Sequence, residues 1–162
     1  MTTSQPAVVT LPTDTQILVT REFAAPRHLV WRAYTEPELI AKWWHANRGE
    51  ILSTEVDLRV GGKWRWVMVT PDGYEVAFTG EYREIVPDQK LVYTEIFEGV
   101  PTDPADAAVN TMTFTELDGR THMVSLTELP SQEARDAILA TGMEAGMQDA
   151  YDLLEGVAIT LT

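Results

Sequence analysis

A glutamate, Glu95, lies in phase with apolar residues on a predicted strand. The segment Lys90–Phe97 alternates so that Leu91, Tyr93, Glu95 and Phe97 share one face. A buried carboxylate would have a raised pKa and could act as an acid, a base or a ligand anchor. A carboxylate at the rim of the sheet would be a solvated or salt-bridged charge. We favour this second interpretation, because charged side chains are rarely fully buried.

His45, which follows the pair Trp43–Trp44, is the second titratable candidate. At the mouth of a cavity its imidazole could titrate near neutral pH. A histidine in a surface loop is the simpler interpretation, and we favour it. Glu95 and His45 are therefore weak candidates for a catalytic pair. The three histidines are scattered and match no metal-binding motif, so the sequence predicts neither a metal site nor a cofactor.

Two tryptophans one pleat apart make the predicted strand Lys63–Val69 unusual. Trp64, Trp66 and Met68 share one face, and Lys63 and Arg65 lie on the other. The tryptophans could form the wall of a cavity for an apolar or aromatic ligand. Ordinary core packing is the alternative, and we favour it for either tryptophan alone.

A C-terminal segment adds small and deformable side chains to this picture. Gly142 and Gly146 are expected inside one long helix, where each costs about 1 kcal/mol relative to alanine. With Met143 and Met147 they form a face that could adapt to a ligand. Close packing of the helix on a sheet explains the same residues equally well.

Hydrophobic periodicity and turn residues predict one strand, two short helices, six strands and a long helix. A capping box, Thr35-x-x-Glu38, is expected to begin the second helix, and Ser131 to cap the last. The predicted strands are Ile17–Phe23, Gly49–Leu58, Lys63–Val69, Glu75–Ile85, Lys90–Phe97, Val109–Leu117 and Thr121–Glu128; the predicted helices are Arg27–Tyr34, Pro37–Trp43 and about 25 residues from Ser131. Short turns imply antiparallel neighbours, so we expect an α+β fold in which a curved antiparallel sheet wraps around the C-terminal helix. Residues 1–14 are expected to be a flexible segment and residues 15–162 a single domain.

Composition excludes several classes of function. The chain has 25 acidic and 12 basic side chains and a net charge of −13, which disfavours nucleic acid and anionic lipid as partners. It has no cysteine, so disulfides and thiol catalysis are excluded. No signal sequence or transmembrane segment is apparent, and we expect a cytoplasmic protein.

Six short stretches resemble one known family in their order along the chain. They are R-E-F-x-A-P at Arg21–Pro26, T-E-P-E-L at Thr35–Leu39, the pair Trp43–Trp44, D-L-R-x-G-G-K-W-R at Asp57–Arg65, F-x-G-E-Y at Phe78–Tyr82, and E-A-R-D-A…G-M-E-A-G at Glu133–Gly146. Over residues 16–157 the chain resembles homologues of the C-terminal domain of the activator of heat-shock protein 90 ATPase, in the START-like (SRPBCC, helix-grip) superfamily. The resemblance implies the helix-grip fold, often with a cavity between sheet and helix.

Three functions remain open. The first is a binding protein for an unknown small apolar molecule, with a ligand site formed by Trp44, Trp64, Trp66, Phe78, Tyr82, Tyr93, Met143 and Met147. The second is a cyclase-like or hydrolase-like enzyme, as found elsewhere in the superfamily, which would use Glu95 and His45. The third is a co-chaperone that activates a chaperone ATPase. The chain could also form a homodimer through a sheet edge or a helix face.

Overall fold

The computed structural model describes residues 5–161. Eight antiparallel strands form one sheet in the order β1-β2-β8-β7-β6-β5-β4-β3. The strands are β1 (Val8–Thr10), β2 (Gln16–Phe23), β3 (Glu50–Val56), β4 (Lys63–Val69), β5 (Glu75–Val86), β6 (Lys90–Phe97), β7 (Ala108–Leu117) and β8 (Arg120–Glu128). The helices are α1 (Arg27–Thr35), α2 (Pro37–Ile40), α3 (Gln132–Ala140) and α4 (Met143–Thr160), with a 3-10 turn at Pro104–Asp106.

All seven predicted strands are present, and the α+β helix-grip architecture is confirmed. Strands β4 and β6 have the predicted bounds, and the others differ by a few residues at their ends. The hairpin between β7 and β8 turns at Asp118 and Gly119, whose φ angles of 54° and 74° suit a tight two-residue turn. Strand β1 was not predicted and lies within the segment expected to be flexible, where it pairs with Leu18–Thr20 of β2. Residues 1–4 of that segment lie outside the described residues.

The capping box predicted at the start of α2 is wrong. The hydroxyl of Thr35 donates to the carbonyl of Trp31, 2.7 Å away, so Thr35 closes α1 and does not cap α2. Glu36 occupies the N-cap position of α2 and no side chain caps it. Helix α2 is accordingly a single turn, and the chain continues through turns to Asn47. Ser131, by contrast, caps α3 as predicted, accepting from the backbone N–H of Ala134.

The single long C-terminal helix is also a wrong prediction. Helix α3 ends at Ala140, and Gly142 follows in the left-handed region with φ of 79°, which glycine adopts at no steric cost. Gly142 therefore separates two helices and does not lie inside one. Helix α4 has 18 residues and a length of about 27 Å. One face of α4, including Tyr151 and Leu154, is buried; the helix packs on α1, and Tyr151 contacts the ring of Phe23 in β2.

A buried arginine joins α4 to strand β2. The guanidinium of Arg21 donates to Asp152 at 2.9 Å and lies 3.5 Å from Glu155, and its side chain is 1% exposed. It also lies over the ring of Phe23, 5.1 Å from the centroid. Glu155 in turn accepts from the backbone N–H of Ala24 at 2.8 Å. These contacts fix the position of α4 against the inner face of the sheet.

We expect Arg21→Ala to lower the free energy of unfolding by about 2 kcal/mol, because the change removes a buried side chain and leaves Glu155, which is 17% exposed, without this counter-charge, while Asp152 is 68% exposed and stays solvated. Urea unfolding measures the change. The control is Arg59→Ala, since Arg59 pairs with Asp57 through side chains that are 70% and 52% exposed. Such exposed pairs contribute little. Equal losses in the two variants would show that the Arg21 contacts do not anchor α4.

Candidate functional site

An aromatic cluster fills the space between strands β4 to β6, helix α1 and the turn after α2. We use this name for Tyr34, Trp43, Trp44, Trp64, Trp66, Phe78, Tyr82 and Tyr93. Trp66 is its centre, with ring centroids 5.0 Å from Trp64, 5.7 Å from Trp44, 6.0 Å from Trp43 and 6.1 Å from Tyr34. Most of these pairs are edge-to-face or tilted, which the ring quadrupoles favour.

The alternation of β4 orients the two central tryptophans as the sequence predicts. Trp64 and Trp66 are buried, while Lys63 and Arg65 are exposed on the other face. The neighbouring strand makes room at Gly80, where an added Cβ would lie 1.8 Å from the carbonyl oxygen of Thr94 and 2.5 Å from the indole nitrogen of Trp64. With glycine there, that indole N–H donates to the Thr94 carbonyl at 3.2 Å.

A small cavity lies inside the cluster. Its lining consists of Tyr34, Trp64, Trp66, Tyr82, Leu91 and Tyr93. The space open to the centre of a water molecule is about 10 Å³, which is room for roughly one water. Ligand sites for drug-sized molecules are usually about 300 Å³ or more. Four predicted ligand-binding residues therefore line a cavity, and a larger ligand would have to displace side chains.

The indole N–H of Trp66 is buried without a hydrogen-bond partner among the described residues. Tryptophan N–H groups usually find an acceptor when they are buried, because desolvation without one costs free energy. The other two buried indoles of the cluster have acceptors, Trp64 at Thr94 and Trp43 at the carbonyl of Ala33, 2.8 Å away. Trp66 thus brings an unused donor to the wall of the cavity.

The remaining predicted ligand residues lie around this centre. Trp44 and Phe78 are half-buried with rings 5.9 Å apart, and Phe78 stacks at 5.3 Å on Phe97, which is 42% exposed. A series of ring contacts therefore leads from Trp66 through Trp44 and Phe78 to Phe97 at the surface. On α4, Met147 packs against the core, whereas Met143 is the half-buried first residue of the helix.

Gly146 does not mark close packing of α4 on the sheet. A Cβ built there would meet nothing within 4 Å, so the space beside it is open. This removes one of the two explanations given for Gly146 by the sequence. Gly156, further along α4, also meets nothing within 4 Å, so both glycines lie where a side chain would have room.

His45 lies in the turn that follows α2. Its Nδ1 accepts from the backbone N–H of Asn47 at 2.9 Å. The turn continues through Ala46 and Asn47, whose φ angles are 51° and 60°, and Arg48 ties it to Asp149 of α4 at 2.7 Å. No hydrogen bond or ion pair joins His45 to Glu95 within residues 5–161.

Glu95 lies on the inner face of the sheet, half-buried, in the phase that the sequence indicates. Its carboxylate accepts from the side-chain amide of Asn110 at 3.3 Å. The hydroxyl of Thr127 donates to the amide oxygen of Asn110 at 2.5 Å, which leaves the amide N–H₂ to face Glu95. Burial raises the pKa of Glu95 to about 7, and the hydrogen bond from Asn110 opposes that rise.

Two tyrosine hydroxyls meet beside this carboxylate. Tyr34 and Tyr93 are hydrogen-bonded at 2.9 Å, and Tyr93 also contacts the sulfur of Met112 at 3.6 Å. Burial raises the pKa of both hydroxyls well above the usual value of tyrosine, so both stay neutral at physiological pH. The pair can donate and accept hydrogen bonds but is not a base.

The sequence analysis missed Asn110 and the site role of Tyr34. Asn110 is 5% exposed and follows the inward phase of β7 with Ala108, Met112 and Phe114. That is the same signal as at Glu95, a polar residue in an apolar stripe. No local pattern in the sequence indicated the hydrogen bond between Tyr34 and Tyr93, because the two residues lie 59 positions apart.

We expect Glu95 to make the protein less stable as pH rises. The pKa of this carboxyl is about 7 in the folded protein and near 4.5 otherwise, so between these values the folded state holds the proton more tightly. The free energy of unfolding then falls with pH through this window. The full effect is at most about 3 kcal/mol, reduced by the exposed part of the side chain.

Urea unfolding at pH 5 and pH 8 checks this expectation. Glu95→Gln should lose less stability than the wild type between the two pH values. Glu75→Gln removes the same charge from an exposed position and should follow the wild-type profile. If the free energy of unfolding changed equally between pH 5 and pH 8 in all three proteins, the idea of a desolvated carboxylate at Glu95 would be contradicted.

The fold and the aromatic interior define a START-like, helix-grip protein. The chain belongs to the family described as activator of Hsp90 ATPase homolog 1-like protein, whose model matches residues 24–158. A search of the curated proteins finds no significant match.

Solved structures of bacterial proteins share this fold. A protein from Rhodobacter sphaeroides is 24% identical with a TM-score of 0.88, covering 97% of this chain and 100% of its own. One from Mycobacterium smegmatis is 28% identical with a TM-score of 0.83, covering 97% and 99%. An HSP90 activator from Plasmodium falciparum is 22% identical with a TM-score of 0.55, covering 71% and 73%.

Neither a membrane-spanning helix nor a metal site is found in the part of the chain that the structure describes. None of its helices is long and apolar enough to cross a membrane. Residues 5–161 contain no group of three or more histidine, aspartate or glutamate side chains able to hold a metal ion.

Proposed function

We propose that the protein binds a small apolar or aromatic molecule in the aromatic cluster, between the sheet and helix α1. The observation that carries this proposal is the unpartnered indole N–H of Trp66 at the wall of a cavity lined by aromatic side chains. A ligand with a hydrogen-bond acceptor would satisfy this donor and place its apolar body against the rings. Sites of this composition, mostly apolar with a few polar groups, are typical of small-molecule binding.

Entry of a ligand requires the cavity to open. Trp44 and Phe78 cover the cluster toward the surface and are themselves half-buried. Met147 can adapt its shape, since methionine has flexible torsions and a polarisable sulfur. We therefore assign the ligand path to the rings from Trp66 to Phe97.

The ligand can be identified by exposing the protein to an extract of cellular metabolites, separating bound from free by gel filtration, and analysing the released compounds by mass spectrometry. We expect a reproducible compound with the wild type and a loss of at least about tenfold with Trp66→Phe, since one hydrogen bond contributes about 1.4 kcal/mol or more when its partner is otherwise unpaired.

Trp31→Phe is the matched control for this experiment. Trp31 is equally buried but packs on Phe114, outside the aromatic cluster. It should retain the compound, and thermal unfolding should show that both variants are folded. Failure of the wild type to retain any compound, or equal retention by Trp66→Phe, would contradict the proposed site.

Family membership supports a second candidate, activation of a chaperone ATPase. The family description names this activity, and one structural neighbour is described as an HSP90 activator. Addition of this protein to a purified Hsp90 would then raise its ATPase rate several-fold. Because such activation needs a protein surface and not the interior, Trp66→Phe should activate as well as the wild type. An unchanged rate over a range of concentrations would reject this candidate.

A further inference from the structure

Glu95 occupies the boundary between the aromatic cluster and solvent. Leu91, Tyr93, Glu95 and Phe97 lie along the inner face of β6. Tyr93 lines the cavity and Phe97 is 42% exposed, and Glu95 is between them. Successive residues on one face are about 7 Å apart, so the carboxylate lies about one side chain away from the cavity wall.

The carboxylate of Glu95 has unused hydrogen-bonding capacity. It accepts from Asn110, and no Lys, Arg or His in residues 5–161 forms an ion pair with it. Two other glutamates nearby differ in this respect: Glu81 of β5 pairs with Lys63 at 2.7 Å, and Glu98, which follows β6, pairs with Arg65 at 2.8 Å. A carboxylate offers about four acceptor sites, so Glu95 can take a further donor from a ligand.

The surroundings favour a cation over an anion or a neutral group. Aromatic ring faces attract ammonium groups, most strongly where water is excluded. The carboxylate and the net charge of −13 repel anions and raise the local concentration of cations. The hydroxyls of Tyr34 and Tyr93, which feel the charge of Glu95, add acceptors in the interior.

We propose that Glu95 binds the protonated amine of an amphipathic ligand whose apolar body lies against Trp64, Trp66 and Tyr93. This inference rests on the proposed function, since it names the chemical class of the molecule bound at the same site. The ammonium group donates to the free acceptor sites of Glu95, and Asn110 holds the carboxylate in place from the opposite side.

The groups that face Glu95 do not change their charge in the pH range in which Glu95 titrates. Tyr34 comes from α1, Tyr93 from β6 and Tyr151 from α4, and burial raises the pKa of each above the usual tyrosine value. Strands β7 and β8 contribute Asn110 and Thr127, which do not titrate. Between pH 5.5 and 8 only the carboxyl group in this set changes its charge.

Calorimetric titration with 2-phenylethylamine and with its neutral analogue 2-phenylethanol tests the proposal. At pH 8 the amine should bind at least about tenfold more tightly than the alcohol. At pH 5.5 its affinity should fall to near that of the alcohol, because a carboxyl with a pKa of about 7 is then almost fully protonated. Titrations at pH 7 in two buffers of different ionisation enthalpy should show release of about half a proton.

Two variants isolate the carboxylate. Glu95→Gln should bind the alcohol as the wild type does, but lose both the preference for the amine and its pH dependence. Glu75→Gln, with the same change of charge at an exposed position, should keep both. A Glu95→Gln protein that still prefers the amine would overturn the proposal.

The outcomes for the wild type separate this inference from the proposed function. Equal affinities for amine and alcohol would overturn the amine site and leave small-molecule binding intact. Binding of neither compound would count against both. Proton release without a difference in affinity would also overturn the assignment, because the two effects come from the same charge interaction.

Discussion

Burial of Trp66 and its ring neighbours is the constraint on which this end of the molecule depends. Large rings packed edge to face need a surface that curves around them, and α1, β4 and the turn after α2 supply three of its sides. The close approach at Gly80 belongs to the same constraint, because a side chain there would displace Trp64 from its hydrogen bond to Thr94. Packing at interior density leaves only the small cavity.

Helix α4 is held to the rest of the molecule along its length. In its first half, Asp149 pairs with Arg48, and Gln148 exchanges two hydrogen bonds with the backbone of Ala7. In its second half, Asp152 and Glu155 lie beside the guanidinium of Arg21. The buried residues are divided between both halves, so the whole helix behaves as part of the core.

Polar groups inside the sheet are few and are connected to one another. Glu95, Asn110 and Thr127 form one chain of hydrogen bonds across β6, β7 and β8, and Tyr34 and Tyr93 form a second. Buried polar groups are costly unless satisfied. Within residues 5–161, the indole N–H of Trp66 is a buried side-chain donor without a partner, and Asn110 is the partner given for the Glu95 carboxylate.

Relatives that are only 24% and 28% identical superpose on nearly the whole chain. This is the expected behaviour of a fold specified by periodicity and approximate side-chain volume, since cores tolerate extensive substitution when patterning is kept. The details that define a site, such as the length of a helix or the partner of one carboxylate, are not determined by the pattern. Family membership therefore constrains the shape of this protein more than its chemistry.

The sequence by itself determined seven of the eight strands and the inward phase of Trp64, Trp66 and Glu95, because a strand repeats every two residues and local turns mark its ends. It did not determine the break at Gly142 or the hydrogen bond of the Thr35 side chain, since each depends on which local hydrogen bonds form once the helices are packed. Only the tertiary structure brought Tyr34 to Tyr93 and Asn110 to Glu95. Such contacts join residues far apart in the chain. They depend on how whole helices and strands pack together, and local sequence patterns carry no information about that packing.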